Sequence, residues 1–136
     1  MDRLTTEQRS RLMARIRGKD TKPEWIVRRL VHGMGYRYVL HDRRLPGTPD
    51  LVFPSRQKII FIHGCFWHGH DCARGFKPKT NTAFWTTKIA TNKARDVRQC
   101  RELRERGWKV LTVWECTTHP TSLASLKRRL SRFLES

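Results

Sequence analysis

The chain has 136 residues, 38% of them hydrophobic, which suits one domain with its own core and excludes wholesale disorder. Lysine and arginine number 29 against 12 aspartates and glutamates, a formal net charge of +17. So large an excess points to a polyanion partner, because each phosphate neutralised releases counterions; a basic surface that merely keeps the chain soluble is the plainer alternative.

Residues 1–20 hold no apolar stretch that could serve as a signal peptide, and no run approaches the ~20 residues of a membrane span. A cytoplasmic protein without membrane contact is expected, its cysteines serving as thiols or metal ligands rather than disulfides. Thr5-x-x-Gln8 reads as a capping box opening a short basic helix that stops near Gly18. Thr21-Lys-Pro-Glu24 is a better one, and the helix after it carries Ile26, Leu30, Val31 and Met34 at helical spacing, ending at Gly33 or Gly35. Three strand-like segments follow, Tyr36 to His41, Asp50 to Phe53 and Lys58 to His63, the last two joined by a turn at Pro54-Ser55-Arg56-Gln57. A loop rich in Gly, His and Cys runs from Gly64 to about Lys79, and a long helix spans roughly Thr82 to Arg106, stopped by Gly107. Trp108 to Glu115 is apolar on both faces and is expected to be a central strand. An amphipathic helix with Leu123, Leu126, Leu130, Phe133 and Leu134 on one side closes the chain. The expected class is α/β, one domain over residues 1–136, with a central mixed sheet flanked by helices.

Three constellations carry chemistry. In Leu45-Pro-Gly-Thr-Pro-Asp50-Leu-Val-Phe53 a carboxylate sits where a loop enters an apolar strand, a good position for a hard cation such as Mg²⁺. A turn or cap aspartate is the competing reading of an isolated Pro-Asp pair. In Phe61-Ile-His-Gly-Cys-Phe-Trp-His-Gly-His-Asp-Cys72, Cys65, His70 and Cys72 have the ligand chemistry of Zn²⁺ and need a fourth partner. Cys116 is the best candidate and Cys100, among helical positions, the lesser one. Four protein ligands would make a closed, structural zinc; reduced cysteines with incidental histidines are the alternative.

His63 and His68 are then left to take a proton from water or to stabilise phosphate charge. Phe66 and Trp67 between them could wedge into a base step, with Phe84-Trp85 contributing from another side, unless all are buried under the loop. The third constellation is the basic helix of Lys88, Lys93, Arg95, Arg98, Arg101, Arg104 and Arg106, a solvated face touching phosphates at best. Asp96 within it could orient a histidine, although an intrahelical pair with arginine is the expectation.

At these residues the chain resembles the very short patch repair (Vsr) endonucleases. The likeness is carried by LPGTPDL (45–51), FIHGCFWHGHDC (61–72), AFWTTKI (83–89), the Asn-x-x-Arg-Asp of Asn92 to Asp96, and GWKVLTVWEC (107–116). The resemblance implies a restriction-endonuclease-like fold and nicking of DNA on the 5′ side of the T in T:G mispairs left by 5-methylcytosine deamination. It implies that Asp50 and the backbone carbonyl of Ile62 hold catalytic Mg²⁺, that His68 is the base on the attacking water, and that His63 assists at the phosphate. Glu24 matches the acidic residue of the second helix that the fold brings near its active site. It further implies zinc on Cys65, His70, Cys72 and Cys116, in agreement with the spacing, and DNA-inserting roles for Phe66, Trp67, Trp85 and Met13. Residues 1–20 become a basic helix contacting DNA and 21–136 the nuclease core of a bacterial, nucleoid-associated monomer, with mismatch-repair proteins as candidate partners.

Relatives often have Thr where this chain has Ile62. The acidic and lysine pair usual on nuclease strands is replaced by Phe61-x-His63, which fits this family and argues against a standard restriction enzyme. A zinc-stabilised module that binds distorted DNA without cutting it, and a nickase of the same fold with another mismatch preference, are the alternatives.

Overall fold

The computed structural model describes residues 21–72, 75 and 80–136. The basic helix expected within residues 1–20, and Met13 with it, lies outside the described residues. Helix α1 (Lys22–Gly33) starts where expected: Thr21 is its N-cap, accepting a hydrogen bond from the Glu24 amide at 3.4 Å, with Pro23 in the first turn. Strands β1 (Val39–Leu40), β2 (Leu51–Phe53) and β3 (Lys58–His63) follow. The β2–β3 turn is a short 3₁₀ segment over Pro54–Arg56, closed by Gln57 at φ 58°. Helix α2 (Thr82–Glu105) leads through Gly107, at φ 93°, into β4 (Lys109–Trp114), and α3 (Leu123–Glu135) ends the chain.

The sheet is mixed, ordered β1-β2-β3-β4, with β1–β2 and β2–β3 antiparallel and β3–β4 parallel. Only the parallel pair needs a long crossover, and α2 supplies it. Side chains alternate along β3. Ile60 and Ile62, with Leu51, Phe53 and Val113, pack on Val27 and Val31 of α1 and on Leu126, Leu130 and Leu134 of α3. Ile59 and Phe61, with Val52, pack on Leu103 of α2. Three layers result, α1 and α3 on one face of the sheet and α2 on the other.

The expected central position of Trp108 to Glu115 is corrected: among the described residues β4 ends the strand order, and β2 and β3, both buried throughout, are the interior strands. Apolar patterning on both faces reports that helices cover both faces, which is true of β4 as well, and says nothing of lateral neighbours. The first strand is shorter than the Tyr36 to His41 expected: Val39–Leu40 pair with β2, and one backbone hydrogen bond from His41 to Asp50 extends the register. Lys58, buried under the sheet end, donates to the Leu134 carbonyl at 2.9 Å, as does Arg56, so two cations close the C-terminal end of α3. Among the described residues no helix is long and apolar enough to cross a membrane.

Candidate active site and metal cluster

The C-terminal end of β3, the start of β2 and the N-terminal turn of α1 open into one cleft of about 880 Å³. Glu24, His41, Asp50, His63, His68 and Asp96 all line it. The cap at Thr21 sets the direction of α1, and Glu24 in its first turn is carried inward, 5% exposed. Its Oε2 accepts from the Arg28 guanidinium at 2.8 Å and from His41 Nε2 at 3.1 Å. Asp50 precedes β2, and its Oδ2 accepts from the Ile62 amide of β3 at 2.7 Å. Glu24, His41 and Asp50 each offer a ligand atom within 4.8 Å of the others. Burial pushes the Asp50 carboxyl up to about 7; the Ile62 amide opposes that shift and the Glu24 charge adds to it. Two largely buried carboxylates lining one cleft form a donor set suited to a hard divalent cation.

His63, the last residue of β3, stacks flat on His68 with ring centroids 3.8 Å apart. Burial, aided by the neighbouring His68, pushes the His63 imidazole down to about 4, so it is neutral near pH 7. His68 is held from behind: its Nδ1 lies 2.6 Å from Asp96 Oδ2. Asp96 therefore pairs with a histidine, correcting the intrahelical arginine pair expected for it. With the Nδ1–H donating to the carboxylate, Nε2 of His68 carries the lone pair and can accept a proton. Asn92, one helical turn before Asp96, donates to the Trp67 carbonyl at 2.9 Å, so one face of α2 grips consecutive residues of the loop. The loop can come this close because residue 69 is glycine. At φ +64° a Cβ there would lie 2.6 Å from the Ile89 side chain and 2.8 Å from that of Lys93.

On the far side of His68 the loop and the end of β4 bring Cys65, His70, Cys72 and Cys116 together, their ligand atoms all within 4.8 Å of one another. Cys116 Sγ and His70 Nδ1 are 3.6 Å apart. A tetrahedral ion with bonds of ~2.0–2.3 Å sets its ligands about 3.3–3.8 Å apart, so the donor set and its spacing fit zinc. Burial pushes the Cys65 thiol up to about 12 and raises that of Cys116. Cys100 is elsewhere, packed against the core beneath α2. Trp114 stacks on His70, centroids 4.2 Å apart, and meets His63 edge-on at 5.4 Å.

Phe66 and Trp67 line the cleft, half-buried, and form a ring cluster with Trp85 of α2 at centroid distances of 5.1–5.7 Å. Phe84 beside them is 63% exposed. Every expected site residue among those described thus lies at the cleft, in the Cys/His cluster or in the ring cluster beside them. Sequence reasoning missed His41, and it ranked a histidine partner for Asp96 below an arginine in the same helix. A lone histidine ending a strand carries no signal, but two polar residues four apart in α2, Asn92 and Asp96, were a readable one.

A family model described as DNA mismatch endonuclease Vsr matches residues 1–74. The chain is 48% identical over 134 residues to the type II nicking enzyme V.XorIIP of Xanthomonas oryzae pv. oryzae, covering 98% of this chain and 97% of that protein. It is 43% identical over 133 residues to the type II nicking enzyme V.NmeAIP of Neisseria meningitidis, covering 98% and 94%. With the DNA mismatch endonuclease Vsr of Escherichia coli it shares 44% identity over 108 residues, 79% of this chain and 69% of that protein.

Proposed function

The chain belongs to the Vsr family of DNA mismatch endonucleases, and on that premise we propose that it nicks one strand of duplex DNA 5′ of the T in T:G mispairs arising from 5-methylcytosine deamination, the opening step of very short patch repair. The carrying observation is the His68–Asp96 pair at 2.6 Å in the same cleft as Asp50. In this reading the fold is restriction-endonuclease-like, residues 1–136 are one domain, and residues 1–20 with Met13 are a basic helix against the DNA. The protein works as a cytoplasmic monomer.

Asp50 and the Ile62 carbonyl would hold Mg²⁺, which when bound polarises the scissile phosphate and neutralises its developing charge. His68 Nε2 takes the proton of the attacking water while Asp96 keeps the ring in the tautomer that can accept it. The water oxygen bonds to phosphorus, the bond from phosphorus to the leaving sugar oxygen breaks, and that oxygen departs with the bonding pair and takes a proton from solvent water. His63, neutral and stacked on His68, fixes the plane of the base and faces the phosphate with a hydrogen-bond donor. Phe66, Trp67 and Trp85 form the wedge that enters the mispaired step, which opens at lower cost than a paired one. Cys65, His70, Cys72 and Cys116 would hold a structural zinc that shapes the loop. One active site in a monomer cuts one strand.

The test is a panel of labelled duplexes carrying T:G, other mismatches or full pairing, with Mg²⁺ supplied or omitted. A single-strand cut confined to T:G and dependent on Mg²⁺ is expected. Equal cutting of paired DNA would overturn mismatch recognition, a preference for another mispair would overturn the T:G assignment, and tight binding without any cut would leave a DNA-binding module.

A further inference from the structure

Glu24 and Asp50 reach the cleft from different elements, one from α1 and one from the start of β2, and two carboxylates brought this close repel when both are charged. One imidazole stands between them. His41 Nε2 is 3.1 Å from Glu24 Oε2 and 3.9 Å from Asp50 Oδ1, in a side chain 13% exposed. Arg28, a helical turn beyond Glu24, reaches the same Glu24 oxygen at 2.8 Å and approaches the imidazole at 3.4 Å.

The backbone delivers the ring to this place. The register Val39↔Val52 and Leu40↔Leu51 continues by one more pair, the His41 amide donating to the Asp50 carbonyl at 3.2 Å, so His41 is the cross-strand neighbour of Asp50. There β1 stops. His41 has φ 45°, in the left-handed region that non-glycine residues seldom occupy, and the strand alternation ends with it. Such a conformation persists only where the surroundings over-determine it, and such residues concentrate at functional sites.

We propose that His41 is a positioning residue of the endonuclease: its Nε2–H holds the Glu24 carboxylate beside Asp50, with Arg28 bracing the other side, so that both carboxylates face one divalent cation. The inference rests on the reading of Asp50 as the cation's ligand. Outer partners that orient a ligand set typically change metal affinity by about 10- to 100-fold when removed.

The experiment titrates the zinc-loaded full-length protein, without DNA, with Mn²⁺ and follows the free ion by electron paramagnetic resonance. His41→Gln places an amide N–H near the Nε2 position and should bind Mn²⁺ almost as wild type does. His41→Asn is too short to reach Glu24 and should bind roughly 10- to 100-fold more weakly. Asparagine suits a left-handed backbone better than glutamine, so melting temperature should rank the two variants in the opposite order. That reversal separates positioning from mere folding. The Mg²⁺ concentration for half-maximal nicking should rise in His41→Asn, while the rate at saturating Mg²⁺ changes little. Equal Mn²⁺ affinity in wild type and both variants, or equal loss in both variants, overturns the role of Nε2. Asp50→Asn is the control. If it binds Mn²⁺ as wild type does, the cation reading itself fails and this inference with it; if it alone loses the ion, only the role of His41 fails.

Discussion

Replacing Asp96 by asparagine removes one charge and no volume, and it interrogates the proposed base directly. In the native site the carboxylate accepts from His68 Nδ1–H across 2.6 Å, with side chains 16% and 21% exposed. Asparagine can offer its amide nitrogen there, which requires the lone pair on Nδ1 and moves the ring proton to Nε2. The base is then lost. Alternatively it offers its carbonyl oxygen, which keeps the tautomer but not the charge that steadies the imidazolium. A positioned general base contributes about 10²–10⁴-fold, and the equivalent exchange in a serine-protease triad costs ~10⁴. The pair here is partly open to water, so a fall of about 10²–10³ in nicking rate is expected, some 3–4 kcal/mol of barrier.

Single-turnover nicking of a T:G duplex at saturating Mg²⁺ measures it, and equilibrium binding of the same duplex should be unchanged. In a His68→Ala background Asp96→Asn should cost nothing further, because residues acting as one unit are not additive. An Asp96→Asn enzyme within a few-fold of wild type, or one slowed equally with and without His68, would refute the argument.

Three further outcomes follow from the same geometry. Cys116→Ser should lose zinc and melt far below wild type, since structural zinc supplies roughly 10–16 kcal/mol; Cys100→Ser should keep the metal, and elemental analysis with thermal melts distinguishes them. Burial lifts the folded Asp50 carboxyl from 3.8 to about 7, so its contribution to stability is full below pH 3.8 and lost as pH rises through 7. Asp50→Asn should therefore stabilise Mg²⁺-free protein by about 2–4 kcal/mol at pH 8 and little at pH 4, as read by urea titration, while abolishing the nick. Truncating Phe66 and Trp67 together to alanine should lower the preference for T:G over T:A in binding and leave non-specific affinity nearly intact, because that affinity rests on lysine and arginine. Loss of zinc from the double variant would make these rings core instead.

Where local signals decide an element, the sequence is readable. The Thr21 cap, Gly107 after α2 and the Leu126-Leu130-Leu134 stripe of α3 fall where their chemistry puts them. The Cys65, His70, Cys72 and Cys116 cluster was also legible, because three ligands share one loop and few cysteines could complete the set. What stayed hidden depends on partners distant in sequence. The order of strands is a matter of lateral pairing, so β4 read as interior although it lies at the edge. Asp96 could be satisfied within its own helix, and only the path of the loop over α2 shows that it is satisfied by His68. His41 has no local pattern at all; its meaning comes from the one extra pair in the β1–β2 register.

The candidate zinc ligands and the proposed base share a loop, and an energetic argument accounts for it. Gly64–Cys72 forms turns rather than a helix or strand, and most of its side chains are only half-buried. Fixing about nine such residues costs roughly 1–2 kcal/mol each, of order 10–20 kcal/mol, which partial burial does not recover. A structural zinc would supply roughly 10–16 kcal/mol, a comparable amount, and through candidate ligands that flank the proposed working residues: Cys65 precedes Phe66, and His70 follows His68 by two. Ring contacts carry the constraint onward, from His70 to Trp114 at 4.2 Å, from Trp114 to His63 at 5.4 Å, and from His63 to His68 at 3.8 Å. The cluster touches neither Asp50 nor the proposed site of cleavage. Stiffness in the cluster would reach the proposed base all the same, through two stacked contacts and the edge-on one between them.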